Sequence, residues 1–305
     1  MPSRKKVIMI ISNIIGGLGN QMFQYSAAKV LSKRLDTELY LDISSYNNYK
    51  LHEGFVLNKY FPQINAKIAS KKDILKIGGF GAYLNNPFID SVLSRINKKS
   101  IDQKIVYEPH FHYWESFNTI SDYRYLKGYW QSYKYFIGYE ELIKKDFSFS
   151  SEFENKNLNI INLLSKNETT SVHIRIGDYK NNNSSNSFHG ILDVEYYYNS
   201  IRRICETKGE SLFLIFSDDI NWCKENFKLD VPHLFIDKNL SNNVINDFYL
   251  MKSCNNNIIS NSSFSWWAAW LNDNKNKIVI GPKKWFNVGT KNNTSDLFLS
   301  NWERL

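Results

Sequence analysis

The chain has 305 residues, a length that at about 150 residues per domain predicts two domains and excludes a small disulfide scaffold. Hydrophobic residues make up 43% and charged residues 22%, which is the composition of a globular protein and not of a collagen-like chain. The formal net charge of +8 favours anionic partners, namely nucleic acid, a phosphate-bearing small molecule or an acidic membrane surface, without choosing among them.

The cysteines and the hydropathy pattern bear on the compartment. Cys205, Cys223 and Cys254 form no Cys-x-x-Cys pair and leave an odd count, which argues against a disulfide framework or a zinc site. No stretch reaches the roughly 20 apolar residues that a transmembrane helix needs. The sequence therefore predicts a cytoplasmic protein. Peripheral contact of basic residues with the inner face of an anionic membrane is a further expectation, although a solvated surface explains the charge more simply.

The first half opens with a strand, a glycine loop and a helix. The pattern predicts a buried strand at Val7–Ile15, a loop at Gly16–Gln21, a helix at Met22–Arg34 and a second strand at Thr37–Ile43. The loop lacks the third glycine of the dinucleotide-binding fingerprint and the lysine of a P-loop, so it indicates only a turn where backbone approaches a ligand closely. From about Tyr46 to Tyr139 the chain is aromatic and irregular, and we predict no defined elements there.

Strands and helices alternate more regularly in the second half. The predicted strands are Thr170–Ile176, Leu212–Phe216, His233–Ile236, Asn257–Ile259 and Lys277–Ile280, and the predicted helices are Val194–Glu206, Asp219–Phe227, Asn243–Ser253 and Phe264–Leu271. This alternation is typical of a parallel, doubly wound sheet, in which ligands bind at the carboxyl ends of the strands. A polar stretch at 155–166 predicts the domain boundary, with two α/β halves facing each other across a cleft.

The first of three polar clusters at strand ends lies in Val172–Tyr179 (VHIRIGDY). Strand alternation places His173 and Arg175 on one face and Ile176 on the other. A buried arginine is costly unless it is paired. Arg175 therefore either pairs with Asp178 or reaches into a cleft, where its planar guanidinium suits phosphate oxygens. Both interpretations remain open from the residues alone.

The other two clusters follow later strands. Ser217, Asp218 and Asp219 are explained most simply as a helix N-cap, formed by Ser217 or Asp218, and alternatively as a carboxylate site for a ribose hydroxyl or a base edge. The polar run Ser260–Ser263 precedes a tryptophan-rich helix, where capping and anion binding can coexist. Three such clusters at successive strand ends favour a nucleotide pocket over three separate caps.

Metal-site and hydrolase motifs are scarce. His110 and His112 are two residues apart, which is more typical of a strand or loop face than of a metal site. The sequence contains no Asp-x-Asp triplet and no Gly-x-Ser-x-Gly elbow. We therefore expect neither a metal nor an acyl-transfer triad.

The stretches that carry chemistry resemble the α-1,2-fucosyltransferases of glycosyltransferase family 11. Gly16–Ala28 (GGLGNQMFQYSAA) resembles their opening, and Val172–Tyr179 resembles their His-x-Arg-Arg-Gly-Asp-Tyr motif. Phe216–Asp219 (FSDD) and Asn261–Trp267 (NSSFSWW) resemble their other two donor-side motifs. Shorter similarities occur at 52–55, 128–132 and 188–191, so that the resemblance extends over nearly the whole chain.

The resemblance implies a GT-B-like fold with two Rossmann-type halves. Residues 1–160 would form an acceptor-side domain, and residues 161–305 would bind GDP-fucose. The implied reaction is an inverting transfer of L-fucose from GDP-β-L-fucose to the 2-hydroxyl of a terminal galactose, without a metal or other cofactor. The implied acceptor is a galactose-terminated, lipid-linked glycan such as an O-antigen-type surface-polysaccharide precursor.

The resemblance also implies roles for individual residues. Arg175 would neutralise the β-phosphate of the leaving GDP, and Asn20 would lie near the reacting sugar. The expected donor-binding residues are Gly17, Gly19, His173, Arg175, Ser217, Asp218, Asp219, Asn261, Ser262, Ser263 and Phe264. Ile176 replaces the second arginine of the family motif, and alternation predicts that this change alters packing more than catalysis. For a general base, Asp178 is the first candidate and His189 the second, and catalysis by positioning alone, without a base, is the alternative.

Two alternatives remain open. One is a transferase of the same fold that uses another nucleotide sugar. The other is a basic nucleic-acid-binding protein, because the net charge of +8 accompanies 19 Tyr, 20 Phe and 8 Trp that could stack on bases. No RNP-like or helix-turn-helix motif supports the second alternative, so no nucleic-acid partner is expected.

Overall fold

The computed structural model describes residues 9–48, 53–84, 104–176, 190–237, 240–241, 243–287 and 292–305. The chain divides into two compact units. Unit 1 comprises Met1–Ser148 and Asn292–Leu297, and unit 2 comprises Phe149–Lys291 and Phe298–Leu305. Each unit has its own parallel sheet, which confirms the α/β class and the two Rossmann-type halves.

Unit 1 contains a five-stranded sheet in the order β3-β2-β1-β5-β4, with every neighbouring pair parallel. Its strands are β1 (Met9–Asn13), β2 (Glu38–Asp42), β3 (Lys67–Ile68), β4 (Ile105–Tyr107) and β5 (Arg124–Lys127). Its helices are α1 (Leu18–Arg34), α2 (Leu57–Tyr60), α3 (Lys71–Leu84) and α4 (Glu140–Asp146). Helix α1 begins four residues earlier than predicted, because the Gly17 carbonyl already accepts the backbone N–H of Gln21.

Unit 2 contains a six-stranded sheet in the order β11-β10-β9-β6-β7-β8, again with every neighbouring pair parallel. Its strands are β6 (Thr169–Ile174), β7 (Leu212–Ser217), β8 (His233–Phe235), β9 (Asn256–Ile258), β10 (Val279–Gly281) and β11 (Glu303–Arg304). Its helices are α5 (Ser151–Leu164), α6 (Val194–Lys208), α7 (Ile220–Asn226), α8 (Val244–Ser253) and α9 (Ser263–Trp270). The predicted strands and helices of the second half are confirmed, and each of their ends lies within two residues of its predicted position.

The compact units divide between Ser148 and Phe149, twelve residues before the expected boundary between 160 and 161. The polar stretch at 155–166 is no linker, since most of it belongs to α5, which the structure assigns to unit 2. Polar residues on the exposed side of α5 suggested a linker, but Phe153 on the same helix packs edge-on against Tyr249 at 5.4 Å between ring centroids. Phe149, just before the helix, also contacts Tyr249, at 5.0 Å. The helix is therefore anchored to unit 2 by aromatic contacts that local polarity does not reveal.

The sheet of unit 2 carries a hydrophobic core on the side of α6. Val172, Ile174 and Ile176 pack there with Tyr197 and Ile201. Because side chains alternate along a strand, His173 lies on the opposite face. In the parts of the chain that the structure describes, no helix is both long and apolar enough to cross a membrane.

Candidate functional site

The carboxyl end of β6 confirms the predicted alternation. Ile176 is 1% exposed and lies in the same core as Val172 and Ile174. His173 lies on the other face, where its Nδ1 is 2.9 Å from Ser260 Oγ and its ring is 5.8 Å from that of Phe264. The strand ends at Ile174, so Arg175 extends from the first residue beyond it and is half-buried. A second arginine at position 176 would enter the core, which agrees with the expectation that this change concerns packing.

His173 is kept neutral by its surroundings. Burial lowers the pKa of its imidazole well below the usual range, and the positive charge of Arg175 lowers it further. Asp218 acts in the opposite direction and does not restore the ordinary value. A neutral imidazole beside Ser260 can exchange one hydrogen bond with the hydroxyl and does not add positive charge next to Arg175.

The second cluster ties the end of β7 to the end of β6. Asp218 is exposed, and its Oδ1 accepts a hydrogen bond of 2.8 Å from the Ile176 backbone N–H. Asp219 is the N-cap of α7, since its Oδ1 accepts from the Trp222 backbone N–H at 3.0 Å. The prediction that Ser217 or Asp218 caps this helix is therefore wrong. Only Asp219 lies three residues before the N–H that the cap satisfies, while the Ser217 hydroxyl accepts from the Asp219 N–H at 3.1 Å.

The third cluster begins α9. Ser262 is its N-cap, with Oγ accepting from the Phe264 backbone N–H at 3.3 Å, and Ser263 is its first residue. Asn261 lies behind this turn, where its Nδ2 donates to the carbonyl oxygens of Gly190 at 3.1 Å and Trp285 at 3.4 Å. Asn261 thus joins the segments before α6 and after β10, a structural tie that the sequence did not indicate.

These three clusters meet because β9, β6 and β7 are neighbours in the sheet. The contact between His173 and Ser260 joins the ends of β6 and β9, and the contact between Ile176 and Asp218 joins those of β6 and β7. The arrangement offers a guanidinium, a neutral imidazole, serine hydroxyls and a helix N-terminus at one edge, which suits a diphosphate. Asp178 and His189, the candidate bases, lie outside the described residues.

In unit 1, the glycine turn at the end of β1 is held by hydrogen bonds to its backbone. Gly16 has a φ of +81°, and its carbonyl accepts from Tyr46 Oη at 2.7 Å and from Gln21 Nε2 at 3.0 Å. A Cβ at position 16 would lie 2.6 Å from Asn20 Nδ2, so glycine is required by both conformation and space. Gly17 is the N-cap of α1, and Gly19 is buried within that helix.

Asn20 is oriented by a residue that sequence reasoning did not identify as functional. Its Oδ1 accepts a hydrogen bond of 2.7 Å from Gln131 Nε2, across 111 positions of the chain. Gln131 belongs to the loop after β5, in a region for which the pattern predicted no elements. The only sequence feature that could have pointed to it is the resemblance of residues 128–132.

His110 and His112 of unit 1 form a stacked pair. The rings of His110 and His112 are 3.5 Å apart and nearly parallel, and His110 Nδ1 lies 2.9 Å from the His112 carbonyl oxygen. Within the described ranges, no three His, Cys, Asp or Glu side chains are grouped so that they could hold a metal ion.

Comparison with known proteins identifies the family. The model for glycosyl transferase family 11 matches residues 1–305. The chain belongs to glycosyltransferase family 11.

Similar proteins of known description include two bacterial enzymes and one from a primate. The O-antigen biosynthesis glycosyltransferase WbnK of Escherichia coli is 32% identical over 310 residues, covering 96% of this chain and 99% of its own. An alpha-1,2-colitosyltransferase of Escherichia coli is 33% identical over 285 residues, covering 91% of this chain and 92% of its own. A galactoside alpha-(1,2)-fucosyltransferase 2 of Hylobates lar is 21% identical over 267 residues, covering 85% of this chain and 68% of its own.

The fold is shared with solved fucosyltransferase structures. The fucosyltransferase NodZ from Bradyrhizobium aligns with a TM-score of 0.51 at 14% identity, covering 87% of this chain and 92% of its own. A structure of NodZ alpha-1,6-fucosyltransferase soaked with GDP-fucose also gives 0.51, at 15% identity, with 87% and 93% covered. At this identity the likeness concerns the fold alone, and it confirms the GT-B-like class.

Proposed function

We propose that this family 11 transferase moves L-fucose from GDP-β-L-fucose to the 2-hydroxyl of a terminal galactose, with inversion at the anomeric carbon. The supporting observation is the group formed by His173, Arg175, Asp218 and Ser262 at the carboxyl ends of three adjacent strands in unit 2. The natural acceptor is an O-antigen-type precursor, in keeping with the 32% identical relative of that description.

In the proposed reaction, the residues at these strand ends would stabilise the negative charge of the leaving GDP. As the fucosyl ring leaves, it gains oxocarbenium character and negative charge builds on GDP. Arg175, the first N–H groups of α9 and the hydroxyls of Ser262 and Ser263 can stabilise that charge without a metal. Losing one such donor costs about 10²–10³ in rate.

The acceptor side of the reaction needs a proton acceptor and a positioned hydroxyl. Asp178 remains the first proposed base and His189 the second. His173 is unsuited to this role because its low pKa and its burial make it a weak and shielded base. Asn20 is proposed to lie near the reacting sugar, and its amide is held by Gln131.

A second candidate is the transfer of colitose. This candidate is supported by the similarity to an alpha-1,2-colitosyltransferase, which is 33% identical and covers 91% of this chain. Colitose is fucose without its 3-hydroxyl group, so a donor site for one sugar differs from a site for the other by the contacts to a single hydroxyl. Such a site discriminates strongly only if it hydrogen-bonds that hydroxyl.

The test is a competition in the presence of EDTA. The purified chain is given equal GDP-fucose and GDP-colitose with a panel of β-galactosides, and products are identified by mass and linkage. An α-1,2-fucosylated galactoside is the expected product, and Arg175→Ala is the negative control. A predominantly colitosylated product would replace the first candidate with the second, and dependence on added Mg²⁺ or Mn²⁺ would contradict the metal-independent reaction.

We further propose that the acceptor is lipid-linked and that basic surface residues bring the chain to an anionic membrane. In a sedimentation assay at low salt, the chain should co-sediment with vesicles of phosphatidylglycerol and not with vesicles of phosphatidylcholine. Equal sedimentation with both, or binding unaffected by 0.5 M NaCl, would contradict this electrostatic contact.

A further inference from the structure

The loop of residues 128–132, between β5 and the turn at 133–135, carries the side chain that orients Asn20. Gln131 is 8% exposed, and its Nε2 donates to Asn20 Oδ1 at 2.7 Å. Because the Asn20 oxygen is engaged in this bond, its Nδ2 is left as the donating side of the amide. The direction in which Asn20 donates therefore depends on where the 128–132 loop places Gln131.

The backbone of the 128–132 loop is in a conformation that its sequence does not favour. Trp130, directly before Gln131, has a φ of +55°, a left-handed value that is unusual for a bulky residue. A strained residue keeps such a conformation only when its surroundings hold it there. The Trp130 indole is fully buried. Its ring centroid lies 5.0 Å from that of Phe117 and 5.5 Å from that of Tyr135, which it meets edge-on.

Glu108 holds this backbone with both carboxylate oxygens. Its Oε2 accepts from the Tyr129 N–H at 2.7 Å, and its Oε1 accepts from the Trp130 N–H at 3.0 Å. The Glu108 backbone N–H in turn donates to the Lys127 carbonyl at 2.9 Å, which continues the pairing of β4 with β5. One carboxylate thus fixes two consecutive peptide groups immediately before Gln131.

Space around Glu108 is equally restricted. A Cβ at Gly128 would collide with the Glu108 Cβ, and it would lie 2.9 Å from Oε2 and 3.1 Å from the Trp130 ring. Glycine at position 128 is therefore what allows the carboxylate to approach the loop. Two features of the sequence, Glu108 and Gly128, serve the same contact although they are 20 positions apart.

The surroundings of Glu108 make its ionised form energetically unfavourable. Desolvation raises the pKa of Glu108 to about 8, against the two backbone N–H groups, which lower it. Burial raises the pKa of Tyr129 and of Tyr135, and the nearby charge of Glu108 raises both further. With a pKa of about 8, Glu108 is ionised above that pH and then accepts with both oxygens at full strength, whereas below it the protonated carboxyl keeps a single strong acceptor. Glu108 is half-buried, and the two backbone N–H groups on its oxygens distinguish it from a freely solvated glutamate.

We propose that Glu108 is a positioning residue for the transfer reaction, which acts through the 128–132 loop and Gln131 to set the orientation of the Asn20 amide. The inference rests on the proposed function, because it is that function which places Asn20 near the reacting sugar. It assigns to unit 1 a carboxylate that serves neither as the base nor as a ligand for the donor.

The first test is Glu108→Gln, which keeps the size of the side chain but presents an NH₂ group to one of the two N–H donors. We expect kcat, measured at about pH 9 where the Glu108 carboxyl is ionised, to fall about 10- to 100-fold, as for the loss of a supporting contact or a displacement of about 1 Å at a reacting group. KM for the nucleotide sugar should stay nearly unchanged, because all of the expected donor-binding residues except Gly17 and Gly19 lie in unit 2, at the three strand ends. Glu141→Gln, at a side chain that is 91% exposed, is the matched control and should retain wild-type kcat.

A double-mutant cycle with Asn20→Ala separates positioning from general damage. If Glu108 acts only through Asn20, then Glu108→Gln should not lower kcat further in the Asn20→Ala background. Multiplicative losses in the double variant would overturn the proposal, as would a lowered Tm of Glu108→Gln with unchanged kcat. If Glu108→Gln fails to fold, Gln131→Ala keeps the loop anchored and must show the same kcat loss and the same lack of additivity.

A crystal structure of Glu108→Gln gives a result that does not depend on activity. The separation of Gln131 Nε2 and Asn20 Oδ1 is 2.7 Å in the native chain and should exceed hydrogen-bonding distance, about 3.5 Å, in the variant. An unchanged separation would refute the positioning role. If the native chain transfers no sugar from any donor, the proposed function fails, while this distance still decides whether Glu108 sets the Asn20 orientation.

Discussion

The carboxyl edges of the two sheets are built by different means. In unit 2, polar side chains extend directly from the strand ends, and neighbouring ends are joined by contacts such as that of His173 with Ser260. In unit 1, β1 is followed by a glycine turn, and the Gly16 carbonyl in this turn accepts hydrogen bonds from the side chains of Gln21 and Tyr46. Asn20, its principal side chain, is oriented from a separate loop.

This difference predicts two kinds of response to substitution. Where side chains extend from buried strands, removing one deletes a chemical group and leaves the scaffold intact. Where a loop is set by backbone conformation and distant contacts, a substitution moves its neighbours as well. Substitutions at the two edges, followed by kinetics and unfolding, test whether they respond in these two ways.

The largest expected effect is on turnover in Arg175→Ala. Arg175 is half-buried and begins beyond the end of β6, so we expect native stability but a loss of about 10²–10³ in kcat with GDP-fucose. Steady-state kinetics and thermal unfolding measure the two effects. Arg175→Lys keeps the charge without the planar fork, so its kcat should lie between those of the native chain and Arg175→Ala. Near-native turnover in Arg175→Ala would remove the guanidinium from the proposed mechanism.

The same difference explains how far the sequence could be interpreted. In unit 2, buried strands alternate with amphipathic helices at short range, so every predicted strand and helix is present. The three polar clusters could be placed at one edge because each directly follows a strand. Which residue caps α7 could not be predicted, since Ser217, Asp218 and Asp219 are all good caps and only the geometry of the turn selects Asp219.

In unit 1 the defining contacts are distant in sequence. Strands β4 and β5, with three and four residues, lie in the aromatic region where the pattern predicted no elements. Glu108 reaches Tyr129 and Trp130 across 21 and 22 positions, and Gln131 reaches Asn20 across 111. Local periodicity carries no information about such pairs. Only the resemblance to family 11 indicated that residues 128–132 matter.

The second prediction concerns Gly16→Ala and its control Gly138→Ala. Both glycines have φ near +80°, so alanine at either costs about 1–2 kcal/mol of stability through left-handed strain. Among the described residues, no heavy atom lies within 4 Å of a Cβ at Gly138, whereas one at Gly16 meets Asn20 Nδ2 at 2.6 Å. Gly16→Ala should therefore also lower kcat.

Urea unfolding and steady-state kinetics of both variants decide this prediction. A stability loss at Gly16 at least as large as that at Gly138, together with a fall in kcat for Gly16→Ala alone, would show that the turn acts by placing Asn20. Unchanged kcat in Gly16→Ala would mean that the orientation of Asn20 is unimportant. It would also weaken the role proposed for Glu108.

The third prediction concerns pH and belongs to unit 2. Burial and Arg175 hold the pKa of His173 below its usual value, so the unfolded state takes up a proton near pH 6.5 that the folded state does not. The free energy of unfolding should therefore fall below about pH 6.5, by up to about 1.4 kcal/mol per pH unit, and be unaffected by this group above that window. His173→Asn keeps an acceptor for Ser260 but does not titrate, so urea unfolding at pH 7.5, 6.5 and 5.5 should show a shallower slope. Parallel slopes for the two proteins would mean that the buried imidazole is protonated in the folded state.

The smallest expected effect separates capping from donor binding at Asp219. Asp219→Ala removes the acceptor of the Trp222 N–H and should lower the free energy of unfolding by about 1 kcal/mol. Serine is an equally good cap, so Asp219→Ser should recover most of that stability. Because the cap already engages the Asp219 carboxylate, whereas Asp218 is exposed, we expect KM for the nucleotide sugar to be unchanged in Asp219→Ser and raised in Asp218→Ala. A raised KM in Asp219→Ser at native stability would instead show that Asp219 binds the donor as well as capping α7, so that one strand-end carboxylate would serve fold and ligand at once.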